Sequence, residues 1–151
     1  MLKKLITGIC LILAFQILAQ DGESDPVIDS INTVLSQDLK DTTRVNTLLD
    51  LASNYYQVDP EEANRIANKA RDLAERIDYR SGLAFSHKAL GMSYYFQGNW
   101  VDALVEWEVA LEVFESINDL NGVSNMLNNL GAVHYNGGDD ESALNFYLQS
   151  L

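Results

Sequence analysis

Cysteine, proline and long apolar runs are scarce in this sequence, and each scarcity excludes a class of protein. The 151 residues contain a single cysteine, Cys10, so disulfides contribute nothing to the stability of the fold. With two prolines and no low-complexity stretch, the chain does not have the composition of a disordered protein. No apolar run reaches the roughly 20 residues that an easy membrane span requires. The length suits one domain with its own core.

Basic side chains are missing from the second part of the chain. The formal net charge is -12, and residues 89–151 contain nine acids and no Lys or Arg. Phosphate binding and anionic membranes both require a basic face, so we expect no nucleic-acid partner and no direct membrane binding by this region. The acidity either forms a solvated face that keeps the protein soluble or selects a basic partner.

Sequence signatures of catalysis and metal binding are also missing. There is no His-Glu-x-x-His, no cysteine pair, no Gly-x-Ser-x-Gly elbow and no phosphate-binding glycine loop. Residues 139–141 are acidic but lack the alternating spacing of a calcium loop, and they suit a helix N-terminus. We expect His87 and His134 to pack or form hydrogen bonds, and Glu106 to lie on an exposed face without a partner. The sequence therefore predicts no metal, no cofactor and no enzymatic activity in these residues.

The first residues have the pattern of an export signal. Lys3 and Lys4 precede an apolar stretch over residues 5–18, and a small residue follows it. We predict a signal peptide over residues 1–19 and an exported protein, either periplasmic or membrane-associated and facing the periplasm. An uncleaved membrane anchor and a lipid attached to Cys10 are the alternatives.

Three segments of the remaining chain are similar to one another at a spacing of about 40 residues. Related hexapeptides begin at Leu51, Leu90 and Leu130. A set of alanines recurs in phase with them, at Ala63, Ala103 and Ala143. Each unit carries two apolar stripes of helical period, which predicts a pair of helices per unit.

The sequence thus predicts an all-α fold, an α-solenoid of antiparallel helix pairs with about three repeats. The predicted parts are an N-terminal extension with one helix at residues 20–40, and repeats at residues 41–79, 80–119 and 120–151. The third repeat is incomplete, because the chain ends inside its second helix. Since a solenoid needs a polar cap at each end, we expect the full product to continue with more repeats.

Particular residues mark the helix ends and the contacts between helices. Asp59 is the expected N-cap before Pro60, and Glu62 completes a capping box. Gly91 lacks a side chain, so two helices can approach closely there. We expect Ala103 to face Gly91, and the large Trp107 to fill the gap between units.

This pattern resembles the tetratricopeptide repeat. The Leu-Gly-x-x-Tyr of that family matches Leu90, Gly91 and Tyr94, and its Ala-x-x-x-aromatic-x-x-Ala matches Ala103, Trp107 and Ala110. The period of about 40 exceeds the usual 34 of the family. Long-period arrays behind an export signal resemble the N-terminal sensory regions of bacterial adenylate or guanylate cyclases and sensor histidine kinases.

The resemblance implies a protein- or peptide-binding module that scaffolds or senses through a concave groove. Basic ligands are favoured by the acidity of the chain. The alternative is the extracytoplasmic input region of a membrane signalling enzyme, a cyclase or histidine kinase, whose catalytic part lies beyond residue 151. A structural role, in which copies self-associate through the truncated end, is a third reading.

In such arrays the first helices of successive repeats line the groove. By register, the predicted groove residues are Asn46, Leu49, Ser53, Tyr56, Phe85, Lys88, Met92, Tyr95, Phe96, Asn125, Asn128, Ala132, Tyr135 and Asn136, with Asn129 beside them. The three tyrosines recur at equivalent positions and either face the groove or pack between helices. Some family members hold a terminal carboxylate with Lys and Asn, and Lys88 and Asn129 match two elements of that clamp. Met92 stands where an asparagine is needed, so the clamp is incomplete.

Overall fold

The computed structural model describes residues 26–37 and 40–151, and the predicted signal segment lies outside them. These residues contain seven helices and no strand, which confirms the all-α prediction. The helices are α1 (Pro26–Ser36), α2 (Asp41–Tyr55), α3 (Pro60–Arg76), α4 (Arg80–Phe96), α5 (Trp100–Ser116), α6 (Leu120–Asn136) and α7 (Asp140–Gln149). The chain divides into two units between Asn32 and Thr33, and α2–α7 belong to the second unit.

Within the second unit, every helix packs against the helix that follows it in the chain. In addition, α2 packs against α4, which is the first helix of the next pair. Helix pairs that contact only their neighbours in this way form an α-solenoid. The predicted solenoid of antiparallel pairs is confirmed, and the pairs are α2–α3, α4–α5 and α6–α7.

The start of α3 shows which part of the predicted capping box forms. The Asp59 carboxylate accepts a hydrogen bond from the Glu62 N–H at 3.1 Å, and Pro60 is the first residue of the helix. A capping box also requires a hydrogen bond from the Asp59 N–H to the Glu62 side chain. This part of the prediction is wrong, because the Glu62 side chain pairs with Arg65. The Asp59 N–H instead donates to the carbonyl oxygen of Tyr55 at 2.8 Å. The helix start therefore depends on a single side-chain cap.

The turns inside the second and third pairs use glycine in the left-handed region. Gly98 has φ 75° and Gly138 has φ 79°, and a side chain is strained in this conformation. Asp139 then caps α7 by accepting from the Ser142 N–H at 3.1 Å. Asn99 precedes α5 without such a bond, because its amide donates to Asp102.

The core of the second pair is built around Gly91 and Trp107. A methyl group added at Gly91 would lie 2.3 Å from Cδ1 of the Trp107 indole, so only glycine leaves room for the ring. Trp107 is 2% exposed, and its Nε1 donates to the Lys88 carbonyl at 3.2 Å. The three atoms nearest to that methyl group all belong to the Trp107 ring. The side chain that packs against Gly91 is therefore that of Trp107, and the expectation that Ala103 faces Gly91 is wrong. Trp107 and Met126 of α6 belong to one core cluster, which therefore extends over two pairs.

The core of the first pair has smaller side chains at two positions that correspond to aromatic residues of the second pair. Ala67 stands one period before Trp107, and Ala74 stands one period before Phe114. Both alanines are fully buried. Burial of a methyl group removes far less apolar surface from water than burial of an aromatic ring, so these two positions stabilise the first pair less than their counterparts stabilise the second.

Both histidines form hydrogen bonds with carboxylates, as predicted. Nδ1 of His87 lies 2.7 Å from Oε2 of Glu106, and both side chains are largely buried. The expectation of an exposed Glu106 without a partner is therefore wrong. Nδ1 of His134 lies 3.2 Å from Oδ2 of Asp139. Hydrogen bonds from Ser142 lower the pKa of this carboxyl, with a smaller contribution from His134.

Candidate functional site

An open cavity of about 330 Å³ lies between the first helices of two adjacent pairs, α2 and α4. Its lining residues are Asn46, Leu49, Asp50, Ser53, Tyr56, Phe85, Lys88 and Ala89. These residues define the α2–α4 cavity, which combines an apolar surface with a few polar groups. Ligand sites commonly have this composition, and their volumes begin at roughly 300 Å³.

The cavity brings together part of the residue set that the sequence predicted. From α2 these are Asn46, Leu49, Ser53 and Tyr56, and from α4 they are Phe85 and Lys88. The lining residues that the sequence reasoning missed are Asp50 and Ala89. Asp50 lies four residues after Asn46, so the helical period alone already placed it on the same face.

The remaining predicted residues do not line this cavity. Met92 is half-buried and packs against the core cluster around Trp107. The Asn128 side-chain oxygen accepts from the Ser150 hydroxyl at 3.0 Å, which ties α6 to the end of α7. Asn125 is exposed, whereas the side-chain nitrogen of Asn129 is buried and forms no hydrogen bond.

The three equivalent tyrosines have three different environments. Tyr56 lines the cavity and stacks on Phe96, with ring centres 6.4 Å apart and planes 12° apart. The Tyr95 ring lies 5.8 Å from that of Trp107, and its hydroxyl accepts from the Asn136 amide at 3.0 Å. Tyr135 is 62% exposed. Equivalent positions along the chain therefore do not form one continuous tyrosine surface.

Burial alters the ionisation of two cavity residues. It raises the pKa of Tyr56 to about 12. The hydroxyl is protonated at neutral pH, as an ordinary tyrosine also is, and can donate a hydrogen bond. Burial also lowers the pKa of Lys88, because a charged ammonium loses hydration there. The Lys88 Nζ lies 5.9 Å from the centre of the Phe85 ring, a contact that offers weak cation–π stabilisation.

Residues 26–37 and 40–151 contain no helix that is long and apolar enough to cross a membrane. Within the same ranges, no cluster of three or more His, Cys, Asp or Glu side chains has the arrangement of a metal site.

Comparison with known proteins identifies the repeat. A family model described as Tetratricopeptide repeat matches residues 80–151. The Photosystem I assembly protein Ycf3 of Rippkaea orientalis is 38% identical over 68 residues, which cover 45% of this chain and 38% of that protein. Ycf3 of Acaryochloris marina is 38% identical over 74 residues, covering 49% and 43%. The chain thus spans less than half the length of these curated relatives.

A solved structure shares the fold. The crystal structure of the TPR domain of Arabidopsis FLU has a TM-score of 0.67 and covers 74% of this chain and 94% of its own. At 19% identity this similarity shows the fold alone. Repeats of this fold are interaction modules that generally bind proteins or peptides. The motif of α4 and α5, the family model that matches residues 80–151 and the solenoid of helix pairs together identify tetratricopeptide repeats in this part of the chain.

Proposed function

We propose that this protein is an exported interaction module that binds a peptide segment of its partner in the α2–α4 cavity. The observation that carries the proposal is the exposure of apolar surface in that cavity, which Phe85, 39% exposed, lines together with Leu49. Exposed aromatic side chains in a concave surface are common anchors of protein recognition.

The names of two relatives support protein binding in general. Both are called assembly proteins for photosystem I, and assembly requires contact with other proteins. The similarity covers less than half of either relative, so it supports an interaction role and does not extend to their particular partner.

Peptide selection tests the binding site directly. A phage-displayed random peptide library is panned against the full chain, and the selected peptides are titrated against variants. We expect Phe85→Ala to weaken binding at least about tenfold, since truncating an aromatic side chain at a binding hot spot costs about 2 kcal/mol or more. In Ser53→Trp, the large side chain would fill the cavity from α2, so this variant should also bind the selected peptides at least about tenfold more weakly.

The matched control is Val105→Ala, because Val105 is 53% exposed on α5 and does not line the cavity. Its affinity for the selected peptides should equal that of the unchanged protein. Circular dichroism confirms that each variant is folded. If the peptides bind both cavity variants as tightly as the unchanged protein, or if no peptide is selected, the proposed site is wrong.

Export is the second component of the proposal, and the pattern of residues 1–19 supports it. Alkaline phosphatase becomes active outside the bacterial cytoplasm, so we expect high activity when it is fused after residue 25 and expressed in a bacterial host. Replacing Lys3 and Lys4 with glutamate should reduce that activity, because a secretory signal carries positive charge before its apolar stretch. Equal activity from a fusion that begins at residue 20 would contradict export.

A further inference from the structure

We propose that the ligand of the α2–α4 cavity is a mixed-charge segment, in which a large apolar side chain lies between a carboxylate and a cationic group. The carboxylate pairs with Lys88 of α4, and the cationic group pairs with Asp50 of α2. This inference rests on the proposed function and specifies the chemistry of the bound segment.

The first observation is an ammonium group without a counter-ion. Lys88 is half-buried beside Phe85, and no carboxylate of residues 26–37 or 40–151 forms an ion pair with it. Removing a charge from water without a partner costs free energy, and a ligand carboxylate would offset that cost. Within the chain, the Phe85 ring stabilises this cation only weakly compared with an anion.

The second observation is an acidic side chain on the opposite helix. Asp50 lines the same cavity as Lys88, yet their charged groups are not within the 4.0 Å of an ion pair. Another carboxylate of α2, Asp41, is already paired with Arg44 at 2.6 Å. Asp50 has no such partner in the described part of the chain, so it remains available to a ligand cation.

The two charges together select against a ligand of a single sign. A segment with several carboxylates would place one of them near Asp50, where like charges repel. The net charge of -12 also disfavours a purely acidic ligand. A purely basic segment would bring a second positive charge to Lys88. A ligand that carries one charge of each sign satisfies both groups.

The same cavity offers apolar surface to a ligand side chain. Leu49 of α2 and Phe85 of α4 line it together with Tyr56. The volume of about 330 Å³ accommodates one large side chain with the adjoining backbone. The protonated Tyr56 hydroxyl is a donor that a backbone carbonyl of the ligand can accept.

Fluorescence anisotropy with designed peptides tests this inference on the full chain. Nine-residue peptides with capped ends carry Lys-Phe-Glu, Glu-Phe-Lys or Gln-Phe-Gln at their centre. We expect one of the two charged orders to bind about tenfold more tightly than the neutral peptide, since complementary charges fix both orientation and register. A fourth peptide, ending in Lys-Phe with a free carboxylate, distinguishes a C-terminal from a side-chain source of the anion.

Variants of the protein assign the charges to the two residues. Lys88→Gln and Asp50→Asn should each reduce the affinity for the preferred peptide to about the affinity for the neutral peptide. A double variant, Asp50→Lys with Lys88→Glu, should prefer the opposite order. The matched controls are Lys69→Gln and Glu112→Gln, which remove exposed charges outside the cavity and should leave the preference unchanged.

The outcomes separate this inference from the proposed function. If the charged and neutral peptides bind equally well, or if the double variant does not reverse the preferred order, the mixed-charge ligand is wrong. Peptides selected from the library can still bind the cavity in that case. If the library selection also yields no peptide, the proposed peptide-binding function is itself wrong.

Discussion

Replacing Trp107 with alanine should lower the free energy of unfolding by about 3–5 kcal/mol, the range found for removal of a large aromatic side chain from a core. The side chain is 2% exposed, and it lies against Gly91 and in the cluster that contains Met126. Its loss would leave a cavity in the second helix pair and would weaken the contact with α6. Urea unfolding followed by circular dichroism measures the effect without relying on tryptophan fluorescence.

The other tryptophan of the chain is the control for this prediction. Trp100 begins α5 and is 43% exposed, so Trp100→Ala removes the same side chain from a site with much less buried contact. We expect a loss of about 1 kcal/mol or less, as is usual for exposed positions. Equal losses at the two positions would show that Trp107 does not organise the core.

Replacing Gly91 with alanine should destabilise the protein by about 1–3 kcal/mol, although alanine is intrinsically better in a helix by about 1 kcal/mol. The added methyl group would lie 2.3 Å from the Trp107 ring, well inside van der Waals contact. The ring is buried and its Nε1 is hydrogen-bonded, so it cannot move aside without a loss elsewhere. The same unfolding measurement detects this cost.

Two further variants show whether the cost arises from this one contact. Gly131→Ala brings a methyl group to 2.8 Å from the half-buried Tyr147 ring, so a smaller loss is expected there. Combining Gly91→Ala with Trp107→Leu should cost less than the sum of the two single changes, because the smaller side chain leaves space for the methyl group. Strict additivity would contradict the steric explanation.

The fold was predictable from sequence because its main contacts repeat at one period. Leu90 and Leu130 mark equivalent turns of the first helices, and each is followed by a glycine that faces an aromatic side chain of the second helix. This pairing of a small and a large residue occurs between helices that are adjacent in the chain. The periodic pattern therefore predicts the helix pairs, although we expected Ala103 and not Trp107 to face Gly91.

The candidate site was only partly predictable, because helical register indicates a face but not the contacts formed on it. Tyr56 and Tyr95 occupy equivalent positions, yet Tyr95 packs against Trp107 and bonds to Asn136. Asn128 bonds to Ser150, which lies 22 residues away. Such choices depend on side chains of neighbouring helices whose relative positions the sequence pattern does not specify.

The hydrogen bond between Glu106 and His87 was not predicted for the same reason. His87 and Glu106 are 19 residues apart and meet only after α4 and α5 have packed. A glutamate on a helix rich in acids resembles a solvated side chain until the facing helix is known. The capping box at α3 failed for a local reason, because Arg65 offers Glu62 a charged partner one turn away.

The alanine-rich core of the first helix pair has a consequence for local unfolding. In a solenoid, stability is approximately the sum of contributions from each repeat and its nearest neighbours. The repeat with Ala67 and Ala74 should then open at lower free energy than the repeat with Trp107 and Phe114. The ligand proposed for the cavity between α2 and α4 would bind only the closed form, so its binding should suppress this opening and make the first repeat more ordered.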